Sequence, residues 1–107
     1  LVAEEDGRVE GYVCYGPTPM TLGTWDIYWM AVEPQEQGKG IGSALLKAAE
    51  EDILKAGGRM AVIETSSVPL YLKTLHFHLD SGYRQVARIP DFYEPGDDKL
   101  ILQKYLS

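Results

Sequence analysis

The stretch Trp25-Asp26-Ile27-Tyr28-Trp29-Met30-Ala31-Val32, followed by Gln37-Gly38-Lys39-Gly40-Ile41-Gly42, decides how this chain folds. The first segment is rich in aromatic and apolar residues and predicts a buried strand, ended by Pro34. Alternation puts Asp26, Tyr28, Met30 and Val32 on one face and Ile27, Trp29 and Ala31 on the other. The second segment leads into an amphipathic helix over about 42–56. Its apolar stripe is Ile41, Leu45, Leu46, Ala49, Ile53 and Leu54, with Lys47, Glu50, Glu51 and Lys55 left in water. Gly57-Gly58 stops it. Residues 60–64 read as a second apolar strand. Strand, helix and strand of these lengths predict a βαβ crossover and hence a parallel pair.

Outward from this unit the signals are local. Asp6-Gly7 between apolar runs predicts a hairpin joining 1–3 to 8–15, because both residues tolerate the positive φ of a tight turn. Residues 17–24 read as a loop. After the second core strand, Thr65-Ser66-Ser67 offers helix caps and Pro69 suits an early helical position. That helix runs to about Asp80 with Leu75 and Leu79 on one face, and Gly82 ends it. Residues 83–89 and 99–105 read as two more strands, with the turn at 94–98. The order βββαβαββ predicts an α+β (mixed α/β) fold, a twisted mixed sheet covered by helices, in a single domain over 1–107.

Composition narrows the function classes. The 107 residues are 45% hydrophobic and 24% charged, with ten basic and sixteen acidic residues and a net charge of −6. Scattered basic residues on an acidic chain argue against nucleic acid as a partner. One cysteine, Cys14, excludes an internal disulfide framework and a multi-cysteine zinc site. The longest apolar run, 27–32, is too short to span a bilayer, and the first residues do not resemble a secretory signal. The expectation is a cytoplasmic protein with no membrane partner and no metal ion.

The chemistry lies in the glycine loop. Glycines at 38, 40 and 42 remove side chains where a ligand would touch the backbone. The first amides of a helix lack intrahelical partners and sit at the positive end of its dipole, so the loop predicts a phosphate site. A glycine-rich turn with no ligand is the alternative. A Walker A loop is excluded by spacing: Glu33 stands where its first glycine belongs, and no Ser or Thr follows Lys39. A dinucleotide fingerprint fails because its third glycine falls on Ser43 or Leu45.

These residues resemble a known family. Gln37-Gly38-Lys39-Gly40-Ile41-Gly42 matches the Q/R-x-x-G-x-G/A pattern of the GNAT N-acetyltransferase superfamily. The strand before it, the helix after it, the strand ending Glu64-Thr65-Ser66-Ser67, and Phe77 with Gly82-Tyr83 fall in register. Asp91-Phe92-Tyr93-Glu94-Pro95-Gly96-Asp97-Asp98-Lys99 looks like a bacterial, acetyl-CoA-dependent branch. The resemblance implies acetyl-CoA as donor and CoA as product. The diphosphate is expected on the amides of Gln37, Gly38, Lys39, Gly40, Ile41 and Gly42, with the Ser43 hydroxyl added. The pantetheine arm is expected along Met30, Ala31 and Val32, and near Phe77. Lys39 has a phosphate contact and a solvated loop charge as its two readings. Family members carry an N-terminal strand and one or two helices before the hairpin. This chain reads as N-terminally short of them, although they form one wall of the acceptor site.

The implied reaction is direct attack of a primary amine, of a small molecule or a protein, on the thioester, so Cys14 is not needed as a nucleophile. An amine of pKa about 10.4 is an ammonium at pH 7, and freeing it costs about 4–5 kcal/mol. A general base meets that need. Asp26 is the first candidate, with a solvated strand-end aspartate as its other reading. Glu64, at the end of the second core strand, is the second. His78 stands where the family commonly has a tyrosine acid for the leaving thiolate. Three readings stay open: an imidazolium donating that proton; a hydrogen bond capping the sulfur, or a step that needs no enzyme acid; and impaired chemistry. His76 points away from it, so the two do not form a metal pair. Tyr28 and Tyr71, with Trp25, Trp29, Phe92 and Tyr93, are candidates to line the acceptor pocket. The alternative function is a non-catalytic acyl-CoA-binding or sensing module. Exposed strand edges make a homodimer an expected partner state.

Overall fold

The structure, a computed structural model, describes residues 2–5, 8–33 and 40–107. Its elements are β1 (Val2–Glu5), β2 (Arg8–Pro17), β3 (Thr24–Val32), α1 (Ile41–Lys55), β4 (Met60–Ser66), α2 (Leu72–Asp80), β5 (Arg84–Glu94) and β6 (Asp97–Tyr105), with a 3-10 turn at Pro69–Tyr71. This is the expected βββαβαββ order and a mixed α+β fold. The chain forms two compact units, residues 1–61 with 106–107, and residues 62–105.

In the first unit β1, β2 and β3 form an antiparallel meander in that order. The Asp6-Gly7 turn lies outside the described residues, but the strands it joins pair from Glu5 opposite Arg8. Val13 and Ile27 are buried with Leu45, Leu46, Ala49 and Ile53 of α1. The helix crosses β2 so closely at Gly11 that a Cβ there would lie 3.0 Å from Leu45 Cδ1 and 2.8 Å from the Ala31 carbonyl oxygen. The Tyr15 hydroxyl donates to Asp52 Oδ2 at 2.6 Å. Burial and that carboxylate push the phenol up to about 12.

Two details of the expected pattern are corrected here. Leu54 is exposed, whereas Glu50 is buried. Glu50 follows Leu46 by four residues and precedes Ile53 by three, which places it on the buried stripe. In β3 the period-two assignment fails because Ile27 pairs with Tyr15 and Trp29 with Cys14, leaving Tyr28 as an extra residue. That bulge resets the alternation. Met30 shares the Val13 face, and Asp26 falls on the opposite face with Trp29.

Both helices end in the same way. Gly57 has φ +88, its N–H reaches the Leu54 carbonyl at 3.0 Å, and the Gly58 N–H reaches the Ile53 carbonyl at 2.8 Å. Gly82 has φ +99, its N–H reaches Leu79 at 3.1 Å, and the Tyr83 N–H reaches His78 at 3.1 Å. These are Schellman closures, which require a left-handed residue and satisfy two end carbonyls.

In the second unit the strand order is β4-β6-β5. Ile63 and Thr65 of β4, and Asp98, Leu100 and Leu102 of β6, form its buried positions. On α2 the expected Leu75 and Leu79 face gives way: Leu79 is exposed and His78 is the buried residue. The Schellman geometry explains this, since it commonly packs the residue after the left-handed glycine onto the third residue from the helix end. Here Tyr83 meets the His78 ring edge-on at 6.0 Å.

Gly58 separates packing from conformation. A Cβ there would lie 2.2 Å from Ile53 Cγ2 and 2.9 Å from the Trp25 ring, whereas one at Gly57 meets nothing within 4 Å. Gly58→Ala is expected to lower the unfolding free energy by about 2–3 kcal/mol through overpacking. Gly57→Ala is expected to lower it by about 1 kcal/mol through the left-handed backbone alone. Urea unfolding of the two variants checks the order.

Candidate active site

The phosphate-site prediction falls at the start of α1. Gln37, Gly38 and Lys39 lie outside the described residues. Gly40 caps the helix with φ +82, and a Cβ there would stand in open space. The first intrahelical bond runs from the Ala44 N–H to the Gly40 carbonyl at 3.0 Å. The amides of Ile41, Gly42 and Ser43 therefore precede the helical ladder. Among the described residues no side chain caps this end, and the first turn carries no acidic group. Ser43 is exposed beside those amides. First-turn amides at the positive end of the dipole, in a turn without an acidic residue, fit a diphosphate.

Asp26 is half-buried on β3, opposite Gly16 of β2. Tyr28 at the bulge leans over Gly16, where a Cβ would come within 3.2 Å of its hydroxyl. Tyr28 and Trp29 are 52% and 61% exposed in succession, which a regular half-buried strand would not allow. Met30, Ala31 and Val32 are half-buried beyond the bulge.

Within the second unit Glu64 is already partnered: its Oε2 lies 2.9 Å from Lys99 Nζ. Tyr71 is exposed at the N-terminal boundary of α2. Phe77 is half-buried, its ring centroid 5.3 Å from that of His78. His78 is only 5% exposed, and its Nδ1 is buried with no hydrogen-bond partner among the described residues. Burial pushes its pKa from 6.5 down to about 4, so the ring is neutral at pH 7. Burial disfavours a charged His78 ring in this environment. A neutral ring with an orphaned nitrogen keeps the hydrogen-bonding reading. His76 is exposed on the same helix, and no group of three metal-ligating side chains converges among the described residues.

Sequence reasoning missed one cluster, centred on Asp98. Its carboxylate accepts the Asp91 N–H at 2.8 Å and the Arg88 Nε–H, and its own N–H donates to Ser67 Oγ at 2.8 Å. The Asp91 N–H bond, followed by Arg88, holds the Asp98 carboxyl below its ordinary 3.8. The one signal available was Asp91 itself, since aspartate tolerates the left-handed φ of +56 it adopts.

The GNAT acetyltransferase domain matches residues 1–94. An uncharacterized N-acetyltransferase of Methanocaldococcus jannaschii is 34% identical over 104 residues, covering 96% of this chain and 64% of that protein. The S-(2-succino)cysteine N-acetyltransferase of Bacillus subtilis is 41% identical over 86 residues, covering 77% of this chain and 52% of that protein. A crystal structure of a GNAT-family protein from Desulfovibrio desulfuricans superposes with a TM-score of 0.97 at 42% identity, over 99% of this chain and 67% of that one. An aminoglycoside 6'-N-acetyltransferase solved with coenzyme A shares the fold at a TM-score of 0.87 and 17% identity, over 99% of this chain and 71% of its own. The chain belongs to the GNAT acetyltransferase family, and it spans about half to two-thirds of the length of the curated relatives it matches. No helix among the described residues is long and apolar enough to cross a membrane.

The state of His78 has a measurable consequence. Above pH 6.5 the ring is neutral in both folded and unfolded chains and contributes no pH dependence. As pH falls from 6.5 towards 4 the unfolded chain binds a proton that the folded one refuses, so stability falls. The expected loss between pH 7 and pH 5 is about 2 kcal/mol by urea unfolding, and it should disappear in His78→Phe.

Proposed function

We propose that this chain moves an acetyl group from acetyl-CoA to a primary amine by direct attack. The observation that carries the reading is the start of α1: a left-handed Gly40, open space around it, and a first turn without acidic residues. The amides of Ile41, Gly42 and Ser43, with the Ser43 hydroxyl, would hold the diphosphate. Met30, Ala31 and Val32, beyond the β3 bulge, would run beside the pantetheine arm. Bound acetyl-CoA supplies the thioester carbonyl that the amine attacks, and CoA is the product.

The chain's own residues then divide the work. Asp26 takes the proton of the incoming ammonium, directly or through one water. Glu64 is the second candidate base, its carboxylate already ion-paired with Lys99. His78 offers a hydrogen bond from a neutral ring and donates no net proton. Tyr28 in the first unit, and Tyr71, Phe92 and Tyr93 in the second, are exposed and are the candidates to contact the acceptor. The acceptor of the Bacillus relative, S-(2-succino)cysteine, belongs first in any panel of amines. A second reading, acyl-CoA binding without turnover, draws on the burial and neutrality of His78 in place of a tyrosine acid.

Two measurements test the proposal. In calorimetry with acetyl-CoA, Gly40→Glu is expected to weaken binding at least about tenfold, because it aims a carboxylate at the diphosphate and strains the cap. Equal affinity for both proteins would refute the loop assignment. In a thiol-release assay over the amine panel, Asp26→Asn is expected to lose about 10²-fold or more in turnover at unchanged acetyl-CoA affinity. Binding with no turnover of any amine by the wild-type chain would favour the sensing module instead.

A further inference from the structure

The outer face of α2 carries a pattern that the reaction scheme does not use. The helix buries His78 and leaves the opposite face in water. Leu72, His76 and Leu79 stand four and then three residues apart, so they form one exposed line along that face. Leu72 is 52% exposed and Leu79 39%, and Leu70, in the 3-10 turn just before the helix, is 81% exposed.

The charges beside this line are the wrong way round for the helix that carries them. Lys73 stands in the first turn, at the positive end of the dipole, and Asp80 is the last residue, at the negative end. Each is unfavourable where it stands. Among the described residues neither forms an ion pair. Seven residues separate them, which sets both on one flank of the line, about 10 Å apart along the axis.

An antiparallel copy of the same helix reverses every one of these relations. A two-fold axis crossing α2 close to His76 inverts its direction and keeps the flank on the same side. Lys73 then comes beside the partner's Asp80 and the negative end of the partner's helix. Asp80 comes beside the partner's Lys73 and the positive end. The same operation sets Leu72 against the partner's Leu79, once on each side of the axis. One self-complementary contact thus covers the apolar line and gives four misplaced charges their counter-charges. The sheet edges suit a second copy less well. β1, outermost in its meander, has four residues, and β5, outermost in its unit, carries Pro90 and breaks in register. Short strands, prolines and bulges blunt an edge.

We propose that the outer face of α2 is a self-docking surface, on which a second copy of this chain lays its own α2 antiparallel. This goes beyond the transferase reading and does not depend on it.

The test is sedimentation equilibrium of the full chain at low salt. A helix of nine residues is about 14 Å long, and two of them bury less than the ~1,200 Å² of a standard interface. The wild-type chain is therefore expected to dimerise reversibly with a Kd of about 10–100 µM. Leu72→Glu, which puts a carboxylate beside the partner's Asp80, should raise Kd at least about tenfold. Lys73→Glu and Asp80→Lys should each raise it about three- to tenfold, and the double exchange Lys73→Glu/Asp80→Lys should restore the wild-type value. Both exchanges place charge favourably for the helix itself, so circular dichroism should show undiminished helix in all three proteins. That separates loss of docking from loss of fold, also where Leu72→Glu does not fold. A chain that stays monomeric at about 1 mM overturns the proposal. So does a dimer whose Kd none of the substitutions moves, which would place the contact on another surface. A double exchange that fails to recover the single exchanges overturns the antiparallel arrangement.

Discussion

The first unit depends on a backbone constraint, a left-handed residue at each end of α1. Gly40 at φ +82 and Gly57 at φ +88 take conformations that cost an L side chain about 1–2 kcal/mol. Together they determine where the helix begins and where it ends. A start displaced by one residue would turn every side chain by about 100° and carry Leu45, Leu46, Ala49 and Ile53 off the β2–β3 face. The same constraint decides which amides precede the hydrogen-bonded ladder. The packing of the unit and its capacity to meet an anion are consequences of one pair of dihedral angles.

Much of this was legible in the residues. Glycines flanking a 3.6-period stripe gave α1 to within a residue or two, and all six strands were read with only their ends displaced. The β3 bulge was not legible. It exists because of what lies opposite, at Cys14 and Tyr15, and a strand read by itself carries no record of its partner's register. The omission matters for the site, since it moves Met30 to the core side of the meander and leaves Asp26 on the face of Trp29. Glu50 shows the same limit from the other direction: its place on the helix stripe was available, but its charge argued for solvent.

In the second unit the sequence held the parts without their assembly. The run from Asp91 to Lys99 is legible as a family-like segment, yet its residue pattern ends one strand at 89 and begins the next at 99, with no sign that Asp98 binds Asp91 and Arg88. Hydrogen bonds from a side chain to a backbone amide seven residues away have no periodicity to betray them. The substitution at His78 was equally plain, and its environment was not. On the short helix α2 the leucine spacing suggested a face that the Schellman closure overrides by packing Tyr83 onto His78.

That override shapes how the proposed chemistry must be arranged. With its pKa near 4, His78 carries a proton charge in about one molecule in a thousand at pH 7. It is a poor reservoir for protonating a leaving group. The leaving group has little need of one, because a thiol of pKa about 8.5 departs as a thiolate far more readily than an amine would. The larger demand is on the other side of the reaction, where an ammonium of pKa about 10.4 must lose its proton before it can attack. On the proposed reading the half-buried Asp26 would act on that side. On that reading the chemistry would rest on a carboxylate that deprotonates the amine, and a buried, neutral His78 would stand where the family commonly has an acid.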